Sequence, residues 1–256
     1  MSKLFDLKGR TALITGSSRG IGRAIAERMA EAGARVVVSS RKLDVCEEVV
    51  AGIRKAGGEA IAVACNISNK PELQALVDRT RKEFGKIDVL VCNAAVNPHY
   101  GATQDIPDSA FDKVLDCNIR SNHWLCQMVI PEMAERGDGS VLIVSSIGGL
   151  KGSSSLGTYG LSKAADMALA RNICVEWGAK NIRANCIAPG LVRTDFAKAL
   201  WDDPKIYEQT VRMYPLHRIG EPDEIAGAAV FLAGPSGSFM TGQTIVIDGG
   251  GMVGRG

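Results

Sequence analysis

The chain has 256 residues, 46% hydrophobic and 23% charged, which is ordinary globular composition, and its length allows one large domain or two small ones. A formal net charge of +2 lacks the basic excess expected of a nucleic-acid binder. No apolar run reaches the length of about eighteen residues that a membrane-spanning helix needs, and Met1 to Arg10 lacks the apolar core of a signal peptide, so a cytoplasmic location is expected.

Short β-branched runs alternate with amphipathic stretches almost from end to end. Strands are expected at Thr11–Thr15, Arg35–Ser39, Ala60–Ala64, Val89–Cys92, Ser140–Ser145, Arg183–Ile187 and Thr244–Ile247. Between them, Gly22–Glu31, Asp44–Lys55, Pro71–Phe84 and Leu161–Trp177 carry helical patterns, and a long helix is expected around Phe111–Met133. Val36-Val37-Val38 and Val141-Leu142-Ile143-Val144 are continuous apolar runs, as in strands covered on both faces. Repeated βαβ units with right-handed crossovers predict a seven-stranded parallel sheet with helices on both faces. No linker or repeat divides the chain, so residues 1–256 read as one doubly wound α/β domain. Two stretches break the alternation. Asn97–Asp108 is polar and punctuated by Gly and Pro, and Thr194–His217 carries Phe196, Leu200, Trp201, Tyr207, Met213 and Tyr214. The second reads equally as a substrate lid over 194–217 or as a small packed subdomain.

The first strand runs into Thr15-Gly16-Ser17-Ser18-Arg19-Gly20-Ile21-Gly22 and then a helix. Glycines there permit a tight turn and close approach to a pyrophosphate, and the helix N-terminus offers free N–H groups to the phosphates. A methyltransferase also places a glycine-rich loop after its first strand. The second strand ends at Ser39-Ser40-Arg41-Lys42. A site built for NAD usually has Asp or Glu at this place, about twenty residues beyond the glycines. Ser40 and Arg41 stand there instead, and Arg41, with Arg19, offers charge-assisted hydrogen bonds to a 2′-phosphate. NADP(H) is the expected cofactor.

Tyr159 and Lys163 lie four residues apart, on one face of the expected helix, with Ser146 thirteen residues before the tyrosine. A fixed ammonium nearby favours the phenolate and makes the pair a candidate acid/base. The seven cysteines (Cys46, Cys65, Cys92, Cys117, Cys126, Cys174 and Cys186) form no C-x-x-C pair, which suits free thiols in a reducing compartment. His99, His123 and His217 make no H-x-x-x-H pattern, and no metal site is expected.

This ordered set resembles the short-chain dehydrogenase/reductase family over roughly residues 5 to 250. The resemblance rests on the glycine-rich loop, Asn93-Ala94-Ala95, Asn118, Ser146, Tyr159-x-x-x-Lys163, Pro189-Gly190 and the Gly242–Gly250 segment. Ser39–Lys42, Asn97-Pro98 and Leu191–Phe196 look similar to the NADPH-dependent carbonyl reductase and 3-oxoacyl reductase branches. The resemblance implies a Rossmann domain and an oxidoreductase acting on a carbonyl or secondary alcohol. Tyr159 would exchange a proton with the substrate oxygen, Ser146 would hold that oxygen, and Lys163 would bond the nicotinamide ribose and tune the tyrosine. Asn118 would hold a water linking Lys163 to solvent. Cofactor contacts would come from Gly16, Ser18, Arg19, Gly20, Ile21, Gly22, Ser40 and Arg41. Asn66 and Ile67 would lie beside the adenine, Asn93 and Ala94 along the adenosine ribose, and Pro189, Gly190, Val192 and Thr194 against the nicotinamide.

Two positions depart from the family pattern: Asn66 stands where Asp is common, and Ala95 where Gly is common. Ala95 needs a backbone conformation that tolerates a Cβ. Val96, His99, Gly148, Leu150, Leu156, Phe196, Leu200 and Trp201 read either as a mostly apolar substrate pocket or as core. In similar proteins the helices corresponding to Phe111–Met133 and Thr158–Trp177 form a four-helix dimer interface, and a homotetramer is expected. Two other functions stay open: an NAD-dependent alcohol dehydrogenase, and a non-catalytic NADP(H)-binding sensor.

Overall fold

The computed structural model describes residues 2–254; Met1 and residues 255–256, the outermost positions of the expected 1–256 domain, lie outside the described residues. Seven strands form one sheet: β1 Thr11–Thr15, β2 Arg35–Ser40, β3 Glu59–Ala64, β4 Val89–Cys92, β5 Gly139–Val144, β6 Ile182–Pro189 and β7 Thr244–Ile247. Their order is β3-β2-β1-β4-β5-β6-β7, and every adjacent pair is parallel. Chain direction across the sheet reverses between β1 and β4. In such sheets ligands bind beyond the carboxyl ends of the strands at this switch point.

The helices are α1 Gly20–Glu31, α2 Leu43–Lys55, α3 Lys70–Phe84, α4 Asp108–Val114, α5 Ser121–Arg136, α6 Gly157–Trp177, α7 Pro204–Val211 and α8 Pro222–Ala233. Strand residues alternate between two cores, as a period-2 backbone requires. Ala12, Ile14, Val36, Val38, Leu142 and Val144 pack with α1, α2 and α8 on one face. Leu13, Val37, Leu90, Val141 and Ile143 pack with α3, α5 and α6 on the other. All five residues of β1 are buried, because both of its faces are covered.

The expected strands all form, with ends within about two residues of those read from the sequence, which is normal fraying of such assignments. Two helical features differ from expectation. The long helix expected around Phe111–Met133 is interrupted: α4 and α5 are joined through a π turn at Leu115–Arg120, which includes Asn118. Helix α8 was not expected at all. Ile225 to Ala233 has no polar face, because the helix is wedged between the sheet and α1, with Ile225, Ala226, Ala229, Leu232 and Ala233 at most 1% exposed. Its start was legible: Glu221 and Glu224 form a capping box around Pro222. Arg218 donates to Glu224 at 2.7 Å and 2.6 Å, and it holds that carboxyl down to about 2 together with the Glu221 N–H.

Candidate active site

The cradle at the switch point is built from backbone and small side chains. Gly16 has φ of +65°, the left-handed region that only glycine enters without strain, and its Cα faces Ala94 so closely that a Cβ would sit 2.8 Å from the Ala94 Cα. Asn93 Nδ2 donates to the carbonyls of Thr15 at 2.9 Å and Gly16 at 3.0 Å. Thr15 Oγ1 in turn accepts from the Asn93 N–H at 3.1 Å and the Ala94 N–H at 3.2 Å. The ends of β1 and β4 are thus clasped from both sides. Ser17 ties the loop to β2: its N–H donates to the Ser39 carbonyl at 3.1 Å, and its Oγ accepts from the Ser39 N–H at 2.8 Å. Sequence reasoning missed Thr15 and Ser17, whose hydroxyls read as ordinary strand-end residues until their partners 22 to 79 positions away are known.

Helix α1 begins at Gly20 behind Arg19, which makes no side-chain cap and leaves the first-turn N–H groups free, with no acidic residue in that turn. Those groups and the helix dipole suit an anion. A Cβ at Gly22 would run into Asn93 Nδ2 and the Gly16 carbonyl oxygen. The residues present therefore fit a dinucleotide pyrophosphate: the cradle is shaped by missing side chains and lined by donors. Gly22→Val is expected to weaken NADPH binding by about 100-fold or more, with little change in the far-ultraviolet circular dichroism, because the clash is confined to the loop. Fluorescence titration of NADPH measures it.

At the rim, Arg41 is exposed just past β2. Ser40 Oγ lies 3.1 Å from Cys46 Sγ and 3.3 Å from the Lys42 carbonyl oxygen. Arg19 is also largely exposed and sits 3.5 Å from Asp195, across the mouth of the loop. Asn66 Oδ1 accepts from the Ser68 N–H and hydroxyl, which turns the chain after β3; Ile67 is partly exposed beside it. Among the described residues the non-glycines with positive φ are Asn181 and His217, so Ala95 carries its Cβ without backbone strain. On the opposite side, Pro189 ends β6, the Gly190 N–H donates to Ile247 at 2.9 Å, Val192 is buried and bridges to Gly220, and Thr194 packs against Gly20.

Ser146 lies two residues beyond the end of β5. Its Oγ accepts from the Gly148 N–H at 3.0 Å, and a Cβ on Gly148 would lie 3.3 Å from that oxygen and 3.8 Å from the Tyr159 ring. Ser146 and Tyr159 therefore flank one small glycine surface. Lys163 lies under the tyrosine, with Nζ 5.8 Å from the ring centroid. It is 2% exposed, and its Nζ donates to the Val144 carbonyl at 2.9 Å and to Asp166 at 3.0 Å. Ser145 Oγ donates to the Lys163 carbonyl at 2.7 Å and pins the backbone of α6 to β5. Asn118 is fully buried: its Oδ1 accepts from the Val96 N–H, and its Nδ2 donates to the Val96 carbonyl and to Ser162 Oγ. Its own carbonyl accepts from Asn122 at 2.7 Å. The Asn118 side chain is thus engaged by Val96 and Ser162.

The two irregular stretches meet the same mouth. Gly101 bridges to Leu156, and the His99 ring lies 3.3 Å from the Ala102 carbonyl oxygen, so residues around 99–102 lie beside the start of α6. In the later stretch, a 3-10 turn at Asp195–Leu200 puts the Phe196 ring 6.0 Å from that of Tyr159. Trp201 folds back, with Nε1 donating to Thr194 at 3.1 Å and Arg193 stacked 5.3 Å from the ring centre. Leu150 is exposed on the outer side. Among the described residues no group of His, Cys, Asp and Glu is suited to a metal ion, and no helix is long and apolar enough to cross a membrane.

Known proteins are similar to this chain in sequence and fold. The family model described as enoyl-(acyl carrier protein) reductase matches residues 16–251. Dehydrogenase/reductase SDR family member 4 of Bos taurus is 41% identical over 250 residues, covering 98% of this chain and 90% of the relative. Its Homo sapiens counterpart is 40% identical with the same coverage. A solved 7α-hydroxysteroid dehydrogenase complexed with NADH and 7-oxo glycochenodeoxycholic acid superposes with a TM-score of 0.93 at 39% identity, covering 98% of this chain and 97% of that one. A gluconate 5-dehydrogenase from Burkholderia cenocepacia in complex with NADP and tartrate gives 0.93 at 31% identity, with 98% of each chain covered.

Proposed function

The chain belongs to the short-chain dehydrogenase/reductase family of oxidoreductases, and on that premise we propose that it transfers a hydride between NADP(H) and a carbonyl or secondary alcohol, with Tyr159 as acid/base. The observation that carries the reading is the meeting of Ser146, Tyr159 and Lys163 beside a donor-lined glycine cradle. The bound nicotinamide supplies or accepts the hydride. Tyr159 gives its proton to the developing alkoxide, or takes it in the reverse direction. Ser146 holds the same oxygen by a hydrogen bond. Lys163 bonds the ribose and keeps a positive charge under the tyrosine. Asn118 contributes to proton supply through its carbonyl, which has a second lone pair beside the one that Asn122 occupies.

Gly16, Ser18, Gly20, Ile21 and Gly22 hold the pyrophosphate side, Asn93 and Ala94 the adenosine ribose, and Asn66 and Ile67 the adenine. Pro189, Gly190, Val192 and Thr194 back the nicotinamide. Segment 194–217 closes over the substrate, and Phe196, beside Tyr159, gives the pocket an apolar wall. Such a wall suits ketones, cyclic alcohols, steroids or acyl thioesters. Seven free cysteines suit a reducing compartment such as the cytoplasm. The exposed apolar residues Leu161 and Val175 on α6 suit a homotetramer built through that helix.

Following reduced-nicotinamide absorbance with NADPH and with NADH, against ketones, α-diketones, β-ketoacyl thioesters and quinones, tests the activity. NADPH-dependent turnover supports the reading, and absence of turnover with tight NADPH binding favours the sensor. Preference for NADP(H) rests on Ser40 and Arg41 at the rim, without a carboxylate to repel a 2′-phosphate. One observation favours NAD instead: Arg19 is already engaged by Asp195. Arg41→Asp is expected to shift the ratio of kcat/KM values toward NADH by about tenfold or more, the scale of one charge-assisted contact. If the ratio does not move, Arg41 has no part in cofactor choice.

A further inference from the structure

The ammonium of Lys163 is not held by Tyr159. Of its three protons, one goes to the Val144 carbonyl and one to Asp166 Oδ2, a residue for which neither the motif nor the family resemblance names a role. Asp166 is 1% exposed, and its other oxygen, Oδ1, accepts from Asn122 Nδ2 at 2.9 Å. Asn122 is itself buried and donates also to the Asn118 carbonyl. A closed chain of buried polar groups therefore runs from the π turn through Asn122 and Asp166 to Lys163.

We infer that Asp166 is a positioning residue of this site, which with Asn122 fixes the Lys163 ammonium and keeps it charged in a fully buried setting. The inference rests on the catalytic reading of Lys163 given above. The physical need is plain: a buried lysine without a counter-ion sheds its proton, and a neutral amine neither bonds the ribose as strongly nor acts on Tyr159 as a cation. Burial drives the Lys163 pKa down, but the charge and hydrogen bond of the Asp166 carboxylate, with the neighbouring Tyr159 oxygen, outweigh it and hold the ammonium above the usual lysine value. For Asp166, burial pushes the carboxyl up against the pull of Lys163 and Asn122. The other titratable groups facing the pair are thiols. Cys186 of β6 donates to the Asp166 carbonyl at 3.4 Å, and its thiol is pushed well up by burial; Arg171 of α6 acts on it weakly. Cys92 of β4 is pushed up by its bond to Cys126 of α5 and by burial. Both thiols are pushed away from ionising, and the carboxylate that meets the ammonium is Asp166, 3.0 Å from Nζ.

The test is Asp166→Asn, which keeps shape and a hydrogen-bond acceptor but removes the charge. Carbon-detected NMR titration of the lysine ε-methylenes in cofactor-free protein reads Lys163 directly. The parent should titrate above the ordinary lysine range, whereas the variant, without the Asp166 charge, should titrate below the parent. In turnover, the alkaline limb of the kcat/KM profile should move down with it, giving about tenfold less activity where the parent is still on its plateau. KM for NADPH should rise as well. A Lys163 titration unchanged from the parent overturns the inference. A shifted titration with an unchanged rate profile leaves the pairing intact and counts against the catalytic reading of Lys163 instead. If Asp166→Asn does not fold, Asn122→Ala decides by the same two measurements, with a smaller shift in the same direction expected and no shift overturning it.

Discussion

Tyr159→Phe lowers turnover by about 10²–10⁴ in either direction, while the dissociation constant of NADPH stays within about twofold of the parent. The size follows from the single atom removed. The phenolic oxygen is the group proposed to move a proton at the substrate oxygen, and positioned acid/base groups contribute on that scale. The selectivity follows from the surroundings. The ring keeps its neighbours, Phe196 on one side and the Gly148 surface on the other, so the change leaves pocket shape intact. The cradle for the pyrophosphate is held by Thr15, Ser17 and Asn93, none of which touches the hydroxyl through any bond observed. Stopped-flow turnover and fluorescence binding on the same preparation separate the two effects. Retention of most turnover would remove Tyr159 from the chemistry and require another group to move the proton at the substrate oxygen.

Lys163→Met costs stability as well as activity, about 3–5 kcal/mol, because it leaves the Asp166 carboxylate buried and unpaired. For a chain of this length that lowers the melting temperature by roughly 10 °C. Methionine follows the volume of the lysine stem, so packing changes little. The double change Lys163→Met with Asp166→Leu should recover much of the lost stability without recovering turnover, since an apolar pair of similar volume often replaces a buried ion pair at little cost. Differential scanning calorimetry on the parent, the single variant and the double variant reads the coupling. A single variant that melts with the parent would mean that Asp166 carries no charge in the fold.

Much of this site was legible in the sequence because its parts sit at the ends of regular elements. Val36-Val37-Val38 and Val141–Val144 announce strands covered on both faces, and the glycine-rich loop and Ser146 follow strand ends by simple adjacency. What escaped depends on burial. Helix α8 has no polar face to give it a period, so hydrophobic patterning was silent there. The π turn shifts α5 by a residue without any change of composition. Asp166, three residues after Lys163, reads as an ordinary surface pair of α6 until both are found inside the fold, where the same spacing becomes a closed ion pair.

The bonds by which Ser17 grips β2 end on main-chain atoms of Ser39, one residue short of the rim. The clasp between Thr15 and Asn93 likewise runs through backbone groups. Exchanging the side chains at 40 and 41 therefore disturbs none of these anchors. On the proposed reading of Ser40 and Arg41, cofactor choice would thus be mechanically uncoupled from cofactor grip, and a redesign for the other dinucleotide would leave the frame that holds the pyrophosphate unaltered.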